Sequence, residues 1–265
     1  MGVINLTPDS FSDGGRFFNA SRIDSSLVID AAAKMVQEGA HWLDVGGEST
    51  RPGALPVSEQ EELDRVAPIL ECLVERFDTP VSVDTSSPAL ISQAANCGAS
   101  MINDVRALTR EGALEAVAES NMAVCLMHMQ GEPISMQSAP AYDSVVDEVQ
   151  AFLSEALSRA LDAGIDEDRV CLDPGFGFGK TLEQNLHLLG GIDQFKSLGR
   201  PVLVGFSRKS MIGTMTGRDL DQRDTGTTSL NMLALSAGAS ILRVHNVAAA
   251  IDTVKIWQSF KMAQQ

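Results

Sequence analysis

The sequence predicts one (β/α)8 barrel of parallel strands, and three observations carry that prediction. Eight short apolar runs punctuate the 265 residues, each followed by a Gly-, Pro- or Ser-rich stretch and then a helical pattern. The runs are nearly continuous rather than alternating, as in strands buried on both faces. Seven of the eight stop at a polar or charged residue able to hold a small ligand. In a closed parallel barrel all those endings converge on one mouth. Eight alternations without a linker-like stretch favour a single barrel over residues 1–265, rather than a doubly wound sheet or two small domains.

The first run, 2–6, carries Asn5 at its end and leads into Thr7-Pro8-Asp9-Ser10-Phe11-Ser12-Asp13-Gly14-Gly15. The second, 42–45, contains Asp44 and leads into Gly46-Gly47-Glu48-Ser49-Thr50-Arg51-Pro52-Gly53. Both loops are rich in glycine and hydroxyls, which suits close approach of backbone N–H groups to a ligand, and together they read as a substrate lid. Ser58 with Glu61 reads as a capping box opening a helix that runs to about Phe77. The third run, 81–83, stops at Asp84, and Ser87-Pro88 places a capping serine before a helix-starting proline. The fourth, 101–103, ends at Asn103. The fifth, near Met127, has no ligand-holding end and enters an irregular loop shaped by His128. A helix is expected over 143–163. The sixth run, 170–172, meets Asp173 and then Pro174-Gly175-Phe176-Gly177-Phe178-Gly179-Lys180-Thr181, one residue short of phosphate-loop spacing. The seventh, 202–205, leads to Ser207-Arg208-Lys209 and a helix over 227–237, and the eighth, 241–244, carries Arg243 and leads to His245.

Composition narrows the function. Lys and Arg number 20 against 35 Asp and Glu, a net charge of −15, which argues against a general nucleic-acid or membrane-surface binder. A local positive patch remains available to an anionic small molecule, because Arg51, Arg208, Lys209 and Arg243 all fall at strand ends or in the loops after them. Phosphate gripping near the last two strands recurs in this architecture. No apolar run approaches the ~20 residues that span a bilayer. The opening MGVINLTPDSF lacks a signal peptide's basic region, so a cytoplasmic location is expected. The four cysteines form no CxxC pair and read as small buried hydrophobes.

The segments MGVINLTPDSFSDGG, LDVGGESTRPG, SVDTS, INDV, LMHMQG, LDPGFGFGK, GFSRKSMIG and LRVHNV stand in the order found in bacterial dihydropteroate synthases, which the chain resembles over essentially its whole length. The resemblance implies a TIM barrel that joins 6-hydroxymethyl-7,8-dihydropterin diphosphate to 4-aminobenzoate, giving dihydropteroate and pyrophosphate in folate biosynthesis. It implies that Asp84, Asn103, Asp173 and Lys209 bind the pterin, with Arg243 stacking on the ring. Asn5, Arg243 and His245 would hold the diphosphate, Asp44 would sit at the rim beside it, and Asn5 would also meet the accompanying Mg²⁺. Thr50, Arg51, Pro52, Phe178 and Ser207 would frame the aminobenzoate, the position for which sulfonamides compete. Asp84, Lys209 and Asn5 are the candidate catalytic groups, and a homodimer is the implied assembly.

The residue types suit that chemistry. A pterin presents an N–H/NH₂ edge that a carboxylate accepts in two parallel bonds. Cations stabilise charge on a departing pyrophosphate. An arylamine is already neutral at pH 7, which accounts for a sequence with no evident nucleophile–base set. Two departures stand out. Relatives usually carry residues before the first strand, often a short hairpin, and the last motif reads RVHNV rather than RVHDV, with Asn246 replacing an acid at little expected cost. The competing readings are a corrinoid-linked pterin-barrel methyltransferase and a catalytically silent pterin-binding paralogue. The GESTRPG and SRKS segments oppose the first, and retention of the loop residues opposes the second.

Overall fold

A computed structural model describes residues 1–7, 17–19, 22–51 and 53–264. The expected strands form: β1 (Gly2–Asn5), β2 (Leu43–Gly46), β3 (Val81–Asp84), β4 (Met101–Asp104), β5 (Ala123–Met127), β6 (Val170–Asp173), β7 (Leu203–Val204) and β8 (Ile241–Leu242). Strands β1 to β6 pair in parallel in chain order, and β7 pairs in parallel with β8. Two seams close the ring, Leu172 bridging to Val202 and Gly2 to Val244. There the Leu172 amide donates to the Pro201 carbonyl (2.9 Å) and the Val3 amide to the Val244 carbonyl (3.0 Å). The fold is a TIM barrel. A two-residue antiparallel pair, Phe18–Asn19 with Arg22–Ile23, follows the first loop and has no counterpart in the sequence reading.

The surrounding helices are α1 (Ser25–Gln37), α2 (Glu59–Arg76), α3 (Pro88–Cys97), α4 (Ala113–Ala118), α5 (Val145–Asp162), α6 (Leu182–Gly190), α7 (Ser210–Thr216), α8 (Asp224–Ala237) and α9 (Val247–Met262). Ser87 caps α3 with Pro88 at its start, as expected. The box expected at Ser58 is only half made. The Ser58 hydroxyl accepts from the Glu61 amide, but the Glu61 carboxylate pairs with Arg65, one turn on. The reciprocal box forms instead at α6, between Thr181 and Gln184. Helix α8 starts at Asp224, three residues before the expected Thr227. Asn246 caps α9: its Oδ1 accepts from the Ala249 amide (3.1 Å) and its Nδ2 donates to Asp224 (2.9 Å). An amide can do both, whereas an acid at this position would face the Asp224 carboxylate.

Successive strand residues point to opposite faces, and this sets two storeys inside the barrel. Met101, Cys125, Cys171 and Leu203 form a small buried cluster of their own, joined by Met1, Trp42, Ala123 and Ile241. Intervening residues such as Leu43, Ile102, Val124 and Leu172 belong to the large core shared with the helices. Two positions beyond Trp42, Met101, Cys171 and Ile241 come Asp44, Asn103, Asp173 and Arg243, which therefore lie on the inner face one layer nearer the mouth. The cysteine expectation needs correcting. Cys125 and Cys171 are buried and paired in register on neighbouring strands, but Cys72 is exposed and Cys97 half-buried on the outer helices.

Candidate active site

Arg243 organises one side of the mouth. Its Nε donates to Asp44 Oδ2 at 2.6 Å and its Nη2 to Asp84 Oδ2 at 2.7 Å. Asn103 Nδ2 approaches the same Asp44 oxygen at 3.5 Å. Burial opposes the charge on Arg243, but Asp44 and Asp84 override it and hold the guanidinium above its ordinary value. Burial, aided by the Asp44 charge, pushes Asp84 up to about 7 against the pull of Arg243. The expectation that Asp44 sits at the rim is corrected: it is fully buried beneath Arg243, with which it pairs. Asp44 Oδ1 and Asn103 Oδ1 are buried without a partner, so this layer keeps two acceptors available.

Asp173 and Lys209 form the opposite side. Asp173 Oδ1 accepts the Gly175 amide at 2.7 Å, and burial raises its pKa while Lys209 pulls the other way. Lys209 Nζ donates to the Phe176 carbonyl and lies 4.7 Å from the centre of the Phe178 ring. Burial lowers Lys209 to about 8, with Asp173 opposing and Arg243 reinforcing the shift. Arg208, counted from the sequence among the cations of the mouth, has φ +59 and turns to Asp224 (3.0 Å). Backbone strain of this kind concentrates at functional sites.

Ser207 and His245 stand beside Arg243 at the end of the last two strands. The His245 backbone N–H donates to Ser207 Oγ (3.1 Å), and that hydroxyl lies 2.8 Å from His245 Nδ1. Burial, then the nearby Arg243, lowers His245 to about 3, so the ring is neutral. Ser207 Oγ keeps a second lone pair, so it either donates to Nδ1 or accepts from Nδ1–H. His245 Nε2 is buried and without a hydrogen-bond partner. Asn5, Thr50 and Arg51 are half-buried at the ends of β1 and in the loop after β2. Pro52 and most of the first loop, residues 8–16, lie outside the described residues. The second loop is held by Arg106, which pairs with Glu48 at 3.2 Å, and by the Gly53 amide on the Pro133 carbonyl at 2.9 Å.

Three buried groups escape the sequence reading. Asp104 extends β4 by one residue and takes the Arg106 and Leu108 amides (each 2.8 Å) and the Ser86 hydroxyl, shaping a turn in which Ala107 and Leu108 have positive φ. Glu62 occupies an apolar position in the α2 stripe with Val66, Ile69, Leu70 and Leu73, and burial raises it to about 7. That interruption of the stripe was its only signal. Lys180, set aside with the failed phosphate-loop spacing, is buried with Nζ 2.9 Å from His128 Nδ1 and from the Gly175 carbonyl.

The loop after β6 packs backbone-to-backbone on the loop after β5. A Cβ at Gly175 would stand 1.8 Å from the His128 carbonyl oxygen, at φ +71. Gly175→Ala is expected to lower stability by more than the roughly 1–3 kcal/mol of backbone strain alone, read as a lower urea midpoint at unchanged slope. A cavity of about 590 Å³ opens at the other end of the barrel, lined by Trp42, Ile241, Trp257 and their neighbours. It holds none of the strand-end groups, so the chemistry belongs to the mouth.

A parallel barrel whose mouth gathers buried carboxylates, an amide, a clamped guanidinium and a lysine has the architecture of an enzyme active site. The pterin-binding enzyme family matches residues 1–245. The dihydropteroate synthase of Haemophilus influenzae is 48% identical over 98% of this chain and 92% of its own. The solved Yersinia pestis dihydropteroate synthase, seen in complex with a sulfonamide drug, superposes with a TM-score of 0.95 at 45% identity, covering 99% of this chain and 94% of that one. The Xanthomonas albilineans synthase with 4-aminobenzoic acid gives 0.90 at 47% identity over 98% and 92% of the two chains, and it has also been seen with 7,8-dihydropteroate. The chain belongs to the pterin-binding enzymes, and among them to the dihydropteroate synthases.

Proposed function

We propose that the chain condenses 6-hydroxymethyl-7,8-dihydropterin diphosphate with 4-aminobenzoate by a dissociative substitution in which its own residues bind, orient and balance charge. The observation that carries this reading is the inner ring of Asp84, Asn103, Asp173 and Arg243, raised one layer above a floor that is apolar except for the buried Ser82 hydroxyl. Asp173 takes the N–H/NH₂ edge of the pterin: Oδ1 is already engaged by one amide, and each carboxylate oxygen can accept twice. Asn103 offers its partnerless Oδ1 to the same ring. Arg243, held flat by two carboxylates, presents a guanidinium face for stacking, and His245 Nε2 donates to the diphosphate.

As the C–O bond breaks, the electron pair leaves with pyrophosphate and positive charge grows on the pterin methylene. Asp84 lies in the same layer and offsets that charge when ionised. The arylamine nitrogen then attacks the methylene carbon and afterwards releases its proton. Thr50, Arg51, Pro52, Phe178 and Ser207 frame the aminobenzoate, and sulfonamides compete there. Asn5 would hold a Mg²⁺ accompanying the diphosphate, and that ion would supply neutralisation of the charge on the leaving group. Among the described residues no group of three or more His, Cys, Asp or Glu is placed to cage an ion. An oxygen donor such as the Asn5 side chain suits a hard cation of the kind that keeps several waters and binds substrate phosphates.

The chain works in the cytoplasm as a homodimer. No helix among the described residues is long and apolar enough to cross a membrane. Exposed Leu233, Ile256 and Phe260 on α8 and α9 offer apolar surface for a second copy. Purified protein given the pterin diphosphate and Mg²⁺ should release pyrophosphate and form dihydropteroate only when 4-aminobenzoate is added. Tight pterin binding without product would sink the reading in favour of a silent paralogue.

A further inference from the structure

The loop after β6 has almost no regular structure, yet its backbone is held throughout by side chains. Six consecutive carbonyls, from 175 to 180, each accept from a side chain: Lys180 reaches Gly175 and Phe178, Lys209 reaches Phe176, Gln137 reaches Gly177, Tyr142 reaches Gly179 and Asn185 reaches Lys180. Most of these donors stand at the edge of the loop. Lys180 stands at its centre, 3% exposed.

Its amino nitrogen, which burial lowers to about 7 against the pull of Asp173, has three hydrogen-bond partners in reach: the Gly175 carbonyl (2.9 Å), the Phe178 carbonyl (3.1 Å) and His128 Nδ1 (2.9 Å). Neutral His128 accepts there through Nδ1, since burial and then the Lys180 charge lower it to about 3. One side chain thus bolts both ends of the Gly175–Phe178 arc to the neighbouring loop. The start of that arc carries the amide on Asp173 Oδ1, and its end carries the Phe178 ring beside Lys209.

We propose that Lys180 is a positioning residue for the reaction: by tying the Gly175 and Phe178 carbonyls to His128, it fixes where Asp173 meets the pterin edge and where Phe178 meets the arylamine. This rests on the proposed pterin role of Asp173. Lys180 touches no substrate. Its removal should act on the ring-binding half of the mouth and spare the anion-binding half, because Arg243 and His245 are held by Asp44, Asp84 and Ser207 rather than by this loop.

The test compares wild type with Lys180→Met, in which the stem is kept and the three hydrogen bonds are lost. Calorimetry with 6-hydroxymethylpterin and, separately, with inorganic pyrophosphate and Mg²⁺ reads the two halves without needing turnover. The expected result is a 10- to 100-fold rise, on the order of one or two lost hydrogen bonds, in the pterin dissociation constant. The pyrophosphate constant should stay within twofold. In steady state the aminobenzoate KM should rise several-fold more than kcat falls. Pterin affinity within twofold of wild type in a folded variant would overturn the inference, and so would equal losses for pterin and pyrophosphate. If Lys180→Met does not fold, Lys180→Gln, which retains a donor for one carbonyl, must show the same selective loss at smaller size. Wild type that binds no pterin would instead defeat the reading of Asp173 itself.

Discussion

Asp173→Asn should weaken binding of the pterin diphosphate by roughly 10- to 150-fold, the equivalent of losing about 1.5–3 kcal/mol of charge-assisted hydrogen bonding. The amide is isosteric, and its oxygen can still take the Gly175 amide, which now meets Asp173 Oδ1 at 2.7 Å. The loop is therefore expected to keep its shape. The second position becomes an NH₂ that faces the donors of the pterin edge instead of accepting from them. The loss should appear in titration with the pterin alone and leave pyrophosphate affinity unchanged. Affinity within threefold of wild type would remove Asp173 from the pterin contact.

Arg243→Met is expected to damage both folding and binding. It leaves Asp44 and Asp84 facing each other in a buried layer with no cation between them, a change that typically costs about 3–5 kcal/mol. The deficit should depend on pH in a defined direction. Burial already raises Asp84 to about 7 in the intact protein, so that group favours the folded state at low pH and loses the benefit as pH rises from the carboxylate range through 7. Without Arg243 its folded pKa climbs further, and the gap between variant and wild type should be narrow at pH 5 and wide at pH 8. Urea midpoints at the two values check this, and a gap independent of pH would contradict the clamp. Diphosphate binding should fall at either pH, since the guanidinium itself is gone.

The site was legible where strand periodicity determines it. Asn103, Asp173 and Arg243 each lie two residues past an apolar inward neighbour, so a strand with a polar end writes its ligand into the sequence. The Arg243 clamp was not legible. Its partners lie 199 and 159 residues away in the chain, and only closure of the ring at the Gly2–Val244 seam brings them together. Lys180 stayed hidden for a different reason. Its partners are carbonyls and an imidazole nitrogen, and carbonyls are common to every residue, so no residue pattern announces them. Asp104 followed directly on Asn103 and was lost to a strand boundary placed one residue early. Helix positions fared better than their caps, because a stripe of apolar residues is visible while the choice between Arg65 and the Ser58 backbone as partner for Glu61 is settled by side-chain reach.

The two-storey interior couples its layers. Strands of two to five residues leave no buffer between the floor and the groups assigned to the ring, so Cys171 stands directly beneath Asp173 and Met101 directly beneath Asn103. Interiors this dense pass on a change of even one methylene. Resizing a floor residue such as Cys171 or Met101 is therefore expected to displace the carboxylate or amide standing above it.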